Sequence, residues 1–348
     1  MSNLLIGLGL LGVAALLGVL LVNYFQQRKV QRELQRQSVM VRQDPSTGEE
    51  GLVLEDAPYL EAPGGLKGNL PFELLDVLID SIISLDLHTP LYGQKLLQHM
   101  PDTRRVGGKA LLFEAKNFES DSWEYPRADQ QYRHMQLGVQ LLQGAHRLNN
   151  IDFSEFAAAA HAYAEKVHAT VELPDMREEL ARAKELEALA TEVGVEVELC
   201  VSARETPWSA GYVQQHAQRL GFVPGVYPGR MVYSQAWHEG AAPQPIFTLH
   251  FDAQAALAED LGESALRLIR LVLDVPQVPR QLAPYETLRQ VAVDFAAKMG
   301  GYISDDSGRN ISADFMDSIT LSLDAVYAQL EARDLAAGSP LARRLFAI

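Results

Sequence analysis

The side chains able to do chemistry are few and scattered along the 348 residues. Cys200 is the sole cysteine, so the chain can close no internal disulfide, and no Cys/His cluster has zinc spacing. It falls in a strand-like run with no basic activator beside it, which reads as an inert thiol rather than a nucleophile. His161 and His168 stand seven residues apart without supporting carboxylates, and His216 and His238 have no partners at ligand spacing. A metal site needs three or four converging ligands, so these read as ordinary histidines. Asp305 and Asp306 could form a carboxylate pair, yet the run Asp305-Asp306-Ser307-Gly308 reads as a turn. Trp208 and Tyr212 have the i, i+4 spacing of a packing pair on a helix. Gly7, Gly9 and Gly12, with Glu33 beyond them, spell a dinucleotide-binding pattern, but only six residues precede it where a strand is required. Neither a Gly-x-Ser-x-Gly elbow nor a phosphate-binding Walker loop is present. No catalytic centre, metal or cofactor is expected, and the chain reads as a binding protein rather than an enzyme.

The elements around these residues say more. Leu4 to Val22 holds no charged residue, and at about 1.5 Å per residue such a helix roughly spans a bilayer core. Basic residues follow this run and none precedes it, which reads as an uncleaved anchor with the N-terminus outside and the body cytoplasmic. The neck carries Arg28, Lys29, Arg32 and Arg36, suited to anionic headgroups or to a solvated stalk that sets orientation. Beyond it the chain is acidic, with a net charge of −15 overall, which argues against a nucleic-acid partner. Residues 1–24 are therefore assigned to the anchor and 25–70 to the basic stalk and a Pro/Gly-rich linker.

The body reads as one α+β unit written twice, over 71–194 and 195–335, with 336–348 as a tail. In the second unit Val197, Leu199 and Val201 alternate with Glu196, Glu198 and Cys200, predicting a half-buried strand. Pro207 is expected to open a helix through Leu220. Strands follow over Arg230 to Trp237, Ile246 to Phe251 and Ala265 to Val275. A helix begins at Pro284, a short strand runs from Tyr302 to Asp305, and Ser312 caps a last helix. The first unit has strand-like Ser81 to Leu87, then a helix expected after His88-Thr89-Pro90 and ending near Met100. Ala110 to Asn117 and Tyr132 to Leu142 read as strands, and Asp152 with Glu155 as a capping box. The fold class is α+β, an antiparallel-rich sheet with helices on one face, duplicated behind a single transmembrane helix.

The second unit resembles the ZipA family, membrane anchors of the bacterial division ring. The resemblance rests on ordered stretches: ELCVSARETPWSAGYVQQ, MVYSQAWHEGAAPQPIFTLHFD, RLIRLVLDVP and FAAKMGGYISDDSGRNIS. It implies an inner-membrane location and a cytoplasmic domain that binds the C-terminal tail of the tubulin-like protein FtsZ on an open sheet face. Carried over residue by residue, the partner-peptide positions are Glu198, Cys200, Arg230, Val232, Thr248, His250, Arg270 and Val272, with Glu196 beside them. This set is more polar than the family groove, and the linker is shorter. Three arrangements remain open. The charged sheet could bind a differently composed tail. The first unit could supply the groove, because Ile79, Ile82, Ile83 and Leu85 are apolar at both parities. Or the two sheets could pack together, with an Arg270–Glu198 cross-strand pair contributing about 0.2–1 kcal/mol.

Overall fold

The computed structural model describes residues 75–101, 104–236, 242–258, 260–262 and 264–347. The anchor, the basic neck and the linker lie outside the described residues. Among the described residues no helix is long and apolar enough to cross a membrane.

In the first repeat, β1 (Asp80–Tyr92) turns Ile83, Leu85 and Leu87 into a core and Ile82, Ser84 and Asp86 outward. The expected helix after Pro90 is corrected. The strand continues through Leu91 and Tyr92, which pair with Tyr132 and Gln131 beyond a bulge, and α1 is only Gly93–Gln98. Then come β2 (Arg105–Val106), β3 (Lys109–Asn117), β4 (Trp123–Glu124), β5 (Gln131–Gln140), β6 (Leu142–Gln143) and β7 (His146–Arg147). The helix α2 (Asn150–Val167) is capped by Asn149, whose side chain accepts from the amides of Ile151 and Asp152. That corrects the capping box expected at Asp152. This carboxylate is buried and accepts instead from Lys109 Nζ at 2.7 Å. Next, β8 (Ala169–Glu172) leads into α3 (Met176–Val193), capped by Asp175. The sheet order is β2-β3-β5-β1-β8, with β4 on β3.

The second repeat starts with β9 (Glu196–Ala203). Its first helix, α4 (Ala210–Arg219), begins at the Ser209 cap rather than at Pro207. Trp208 precedes that helix as a buried residue bridged to Leu266, while Tyr212 is exposed and lies on His216 with ring centroids 4.2 Å apart. The two are thus no packing pair. A strand absent from the sequence expectation, β10 (Phe222–Pro224), comes next. Then follow β11 (Arg230–Gln235), β12 (Gln244–His250), α5 (Ala253–Ala256), β13 (Leu268–Asp274), α6 (Pro284–Met299), β14 (Gly301–Ser304) and α7 (Ala313–Glu331). Ser312 caps α7 as its sequence predicts. The sheet order is β10-β11-β12-β13-β9-β14.

The two sheets share a topology. The first strand of each lies between two later strands, β1 between β5 and β8 and β9 between β13 and β14, and in each case a long helix, α2 or α6, falls between those two strands along the chain. Neighbours are antiparallel throughout. Each repeat has its own apolar core under its helices, so the two sheets do not share a core face to face.

The tail does not trail. The helix α7 places Met316, Leu323 and Tyr327 in the second core and Leu330 in the first. The final helix α8 (Pro340–Leu345) then docks Ala342, Leu345 and Phe346 into the first core. Burial raises the Asp80 carboxyl above its ordinary value, and Arg344 beside it partly offsets the rise. Burial likewise lowers Arg343.

Candidate functional site: the helix-free face of the second sheet

Strand parity sorts the second sheet into two faces. Val197, Leu199 and Val201, Met231, Phe247 and Leu249, and Ile269, Leu271 and Leu273 are buried in the core with α4, α6 and α7. The alternate residues point the other way, away from these helices.

Register brings the eight expected binding residues together as two neighbouring cross-strand rows. Arg230 lies opposite His250, His250 opposite Arg270, and Arg270 opposite Cys200, giving a row with two arginines and a histidine. Val232 lies opposite Thr248, Thr248 opposite Val272, and Val272 opposite Glu198. Between the rows, Arg270 Nε is 3.2 Å from Glu198 Oε1, Cys200 Sγ is 3.3 Å from the same oxygen, and Thr248 Oγ1 is 2.8 Å from His250 Nε2. Arg270 and Arg230 are exposed, whereas Cys200 and Val272 form the floor. The expected cross-strand pair therefore exists, on the helix-free face rather than between packed sheets.

The structure adds a residue that sequence reasoning missed. Val223 of β10 lies opposite Val232 and is 54% exposed. The second row thus reads Val223, Val232, Thr248, Val272, Glu198 across five strands. Strands about 4.8 Å apart make this row roughly 19 Å long, the span of about six extended residues. Next to it stands the row of arginines, and beyond its other side Asp274 lies opposite Glu196. An apolar strip is flanked by cations on one side and carboxylates on the other. Three residues are too few for a periodic strand signal, so only the apolar pair Phe222-Val223 ahead of Pro224 could have pointed to β10.

The corresponding face of the first sheet is different. Leu112, Gly138 and Ile82 lie opposite one another, and Leu75 is 9% exposed against them. A Cβ at Gly138 would fall 2.0 Å from Leu75 Cδ2. Of the four residues expected to make β1 apolar on both faces, Ile79, Ile83 and Leu85 are in the core, and only Ile82 is on this face. Leu75 thus occupies the space over Gly138, while Ile82 and Leu112 beside it are half-buried.

The four cations of the neck, Arg28, Lys29, Arg32 and Arg36, lie outside the described residues. Among the described residues no group of three or more His, Cys, Asp or Glu could hold a metal ion. Asp305 is a turn residue. Its carboxylate accepts from the amides of Ser307 and Arg309, and despite partial desolvation these bonds hold it below its ordinary value. A scan against protein-family models gives no match, and neither does a search of curated proteins.

Proposed function

We propose that the protein is a membrane tether of the ZipA type, which holds the bacterial division ring by binding the FtsZ C-terminal tail on the helix-free face of its second sheet. The observation that carries this reading is the pair of adjacent rows, in which all eight positions implied by the resemblance share one face of the sheet, Arg230 and Arg270 exposed and Cys200 and Val272 buried beneath. An extended peptide crossing the strands would lay apolar side chains on Val223, Val232 and Val272 and an acidic group beside Arg230 and Arg270. The apolar segment Leu4 to Val22 and the basic residues after it support a single-pass anchor with this body in the cytoplasm. The role is one of recognition, without catalysis or cofactor.

The test is binding of the full chain to a labelled FtsZ C-terminal peptide from the same organism, at low and at physiological salt. Saturable binding that weakens on Arg270→Ala and on Val272→Glu supports the reading. Binding untouched by both changes moves the site off this sheet. Absence of binding by folded protein at either salt removes FtsZ as the partner.

A further inference from the structure

We propose that the outer edge of β8 is a strand-addition site for an extended peptide that alternates basic and apolar residues. This site is in the first repeat and does not depend on the tether reading. The argument starts from hydrogen-bond parity. The His88 amide donates to the His168 carbonyl at 3.1 Å, and the same register pairs Asp86 with Thr170 and Ser84 with Glu172. In an antiparallel ladder, alternate residues bond to the neighbour. Thr170 and Glu172 therefore bond to β1, while the amides and carbonyls of Ala169 and Val171 point away from it. Among the described residues the sheet order ends at β8 on this side.

The matching edge in the second repeat is closed. There the Ile311 amide donates to the Ile303 carbonyl at 3.0 Å, and Ser304 bridges Asn310. Folded proteins shield an edge by keeping it short or with charge, proline, a bulge or a covering loop, and β8, at four residues, offers only the outward groups of Ala169 and Val171. The sequence Ala169-Thr170-Val171-Glu172 carries neither proline nor lysine, and its pairing with β1 has no bulge.

Side-chain direction defines what such a strand would meet. Val171 lies opposite Leu85 and Ala169 opposite Leu87, so both face the helix side. There a depression of about 430 Å³ is lined by His88, His161, Ala164, Glu165, His168 and Val171. Alternate side chains of an added strand would enter it over Ala164, Ala169 and Val171, the apolar part of a lining that also holds three histidines and Glu165. The intervening side chains would stand beside Thr170 and Glu172 on the other face. Glu172 is exposed and has no ion-pair partner among the described residues. A body this acidic favours a basic partner, and lysines beside Glu172 supply the complementary charge.

The probe is an eight-residue peptide alternating lysine and valine, with its glutamate–valine counterpart as control. Each is titrated to about 1 mM against the full chain while amide hydrogen exchange is followed. The lysine peptide is expected to protect the amides of Ala169 and Val171 and to bind at least tenfold more tightly than the glutamate peptide. Val171→Pro removes an outward amide that β1 does not use, and should weaken binding at least tenfold. If that variant does not fold, Glu172→Lys serves in its place and should weaken lysine-peptide binding severalfold. No binding up to the highest concentration, protection elsewhere with these two amides unchanged, equal binding of the two peptides, or unchanged binding by the folded variants overturns the proposal.

Discussion

Arg343 and Arg344 are adjacent in the last helix, yet their guanidinium groups end in different repeats. Arg344 Nη2 lies 2.8 and 3.0 Å from the two carboxylate oxygens of Asp80, at the start of the first sheet. Arg343 Nη2 lies 2.6 Å from Gln244 Oε1 in the second sheet, and its Nε donates to the Gln277 carbonyl at 3.3 Å. The Arg344 carbonyl in turn accepts from Gln140, and the Gly338 amide donates to the Pro276 carbonyl. A short helix fastens the two repeats.

Removing that fastening has a size. Asp80 is fully buried, so Arg344→Ala leaves its carboxylate without its charged partner in low dielectric. The expected loss is about 3 kcal/mol, the lower end for breaking a buried pair, because Arg344 is itself partly exposed. Urea denaturation of the full chain measures it. A loss under about 0.5 kcal/mol would mean that the clasp is ornamental.

The pH dependence of the same pair has a definite sign. Burial raises Asp80 above the ordinary aspartate value in the folded protein. The raised value favours the protonated carboxyl on folding. That contribution is complete below the unfolded value and is lost as pH climbs through the folded one. Wild-type stability relative to Asp80→Asn should therefore fall as pH rises through this window. Paired melts from pH 3 upward, about one unit apart, would reveal a rise instead if the reasoning fails.

A second buried pair sits in the first repeat. Lys109 Nζ and Asp152 are 2.7 Å apart with side chains 2% and 7% exposed. Lys109→Ala should cost about 3–5 kcal/mol, while Lys109→Met with Asp152→Leu together should recover most of it. Gly107 is at φ +51°, and a Cβ there would fall 1.9 Å from the Asp152 carboxylate. Gly107→Ala should cost more than about 1 kcal/mol. Denaturation midpoints of the four proteins test the set.

On the candidate peptide surface, Val223 separates binding from stability. It is largely exposed, so Val223→Asp should change stability by no more than about 0.5 kcal/mol. It should nonetheless weaken tail binding by about tenfold, through loss of one apolar anchor. Equal affinity of wild type and variant in a fluorescence titration would remove β10 from the surface.

Cys200 is 1% exposed at the floor of that surface. An aromatic disulfide reagent should modify it only at the rate of unfolding, as expected of a buried and inert thiol. Fast modification of folded protein would show that the floor opens.

The sequence alone determined which residues share a face. Ile269, Leu271 and Leu273 alternate with Arg270 and Val272, and a strand permits only one assignment of such residues to core and surface. Parity likewise put Glu198 with Cys200, Arg230 with Val232 and Thr248 with His250 on one side, and Ser312 marked where a helix starts. These signals are local, because backbone geometry repeats every two or 3.6 residues.

The tertiary structure decided everything that joins residues far apart in the chain. It set β13 between β12 and β9, and so aligned four strands into rows. It extended the apolar row through a three-residue strand, and carried β1 past Pro90 because β5 offered it a partner. It brought Lys109 to Asp152, Leu75 to Gly138 and Arg344 to Asp80. Such contacts leave no periodic trace, since what stabilises each is a neighbour supplied by a distant segment. Where burial and pairing are bought by long-range packing, only the folded chain reveals them.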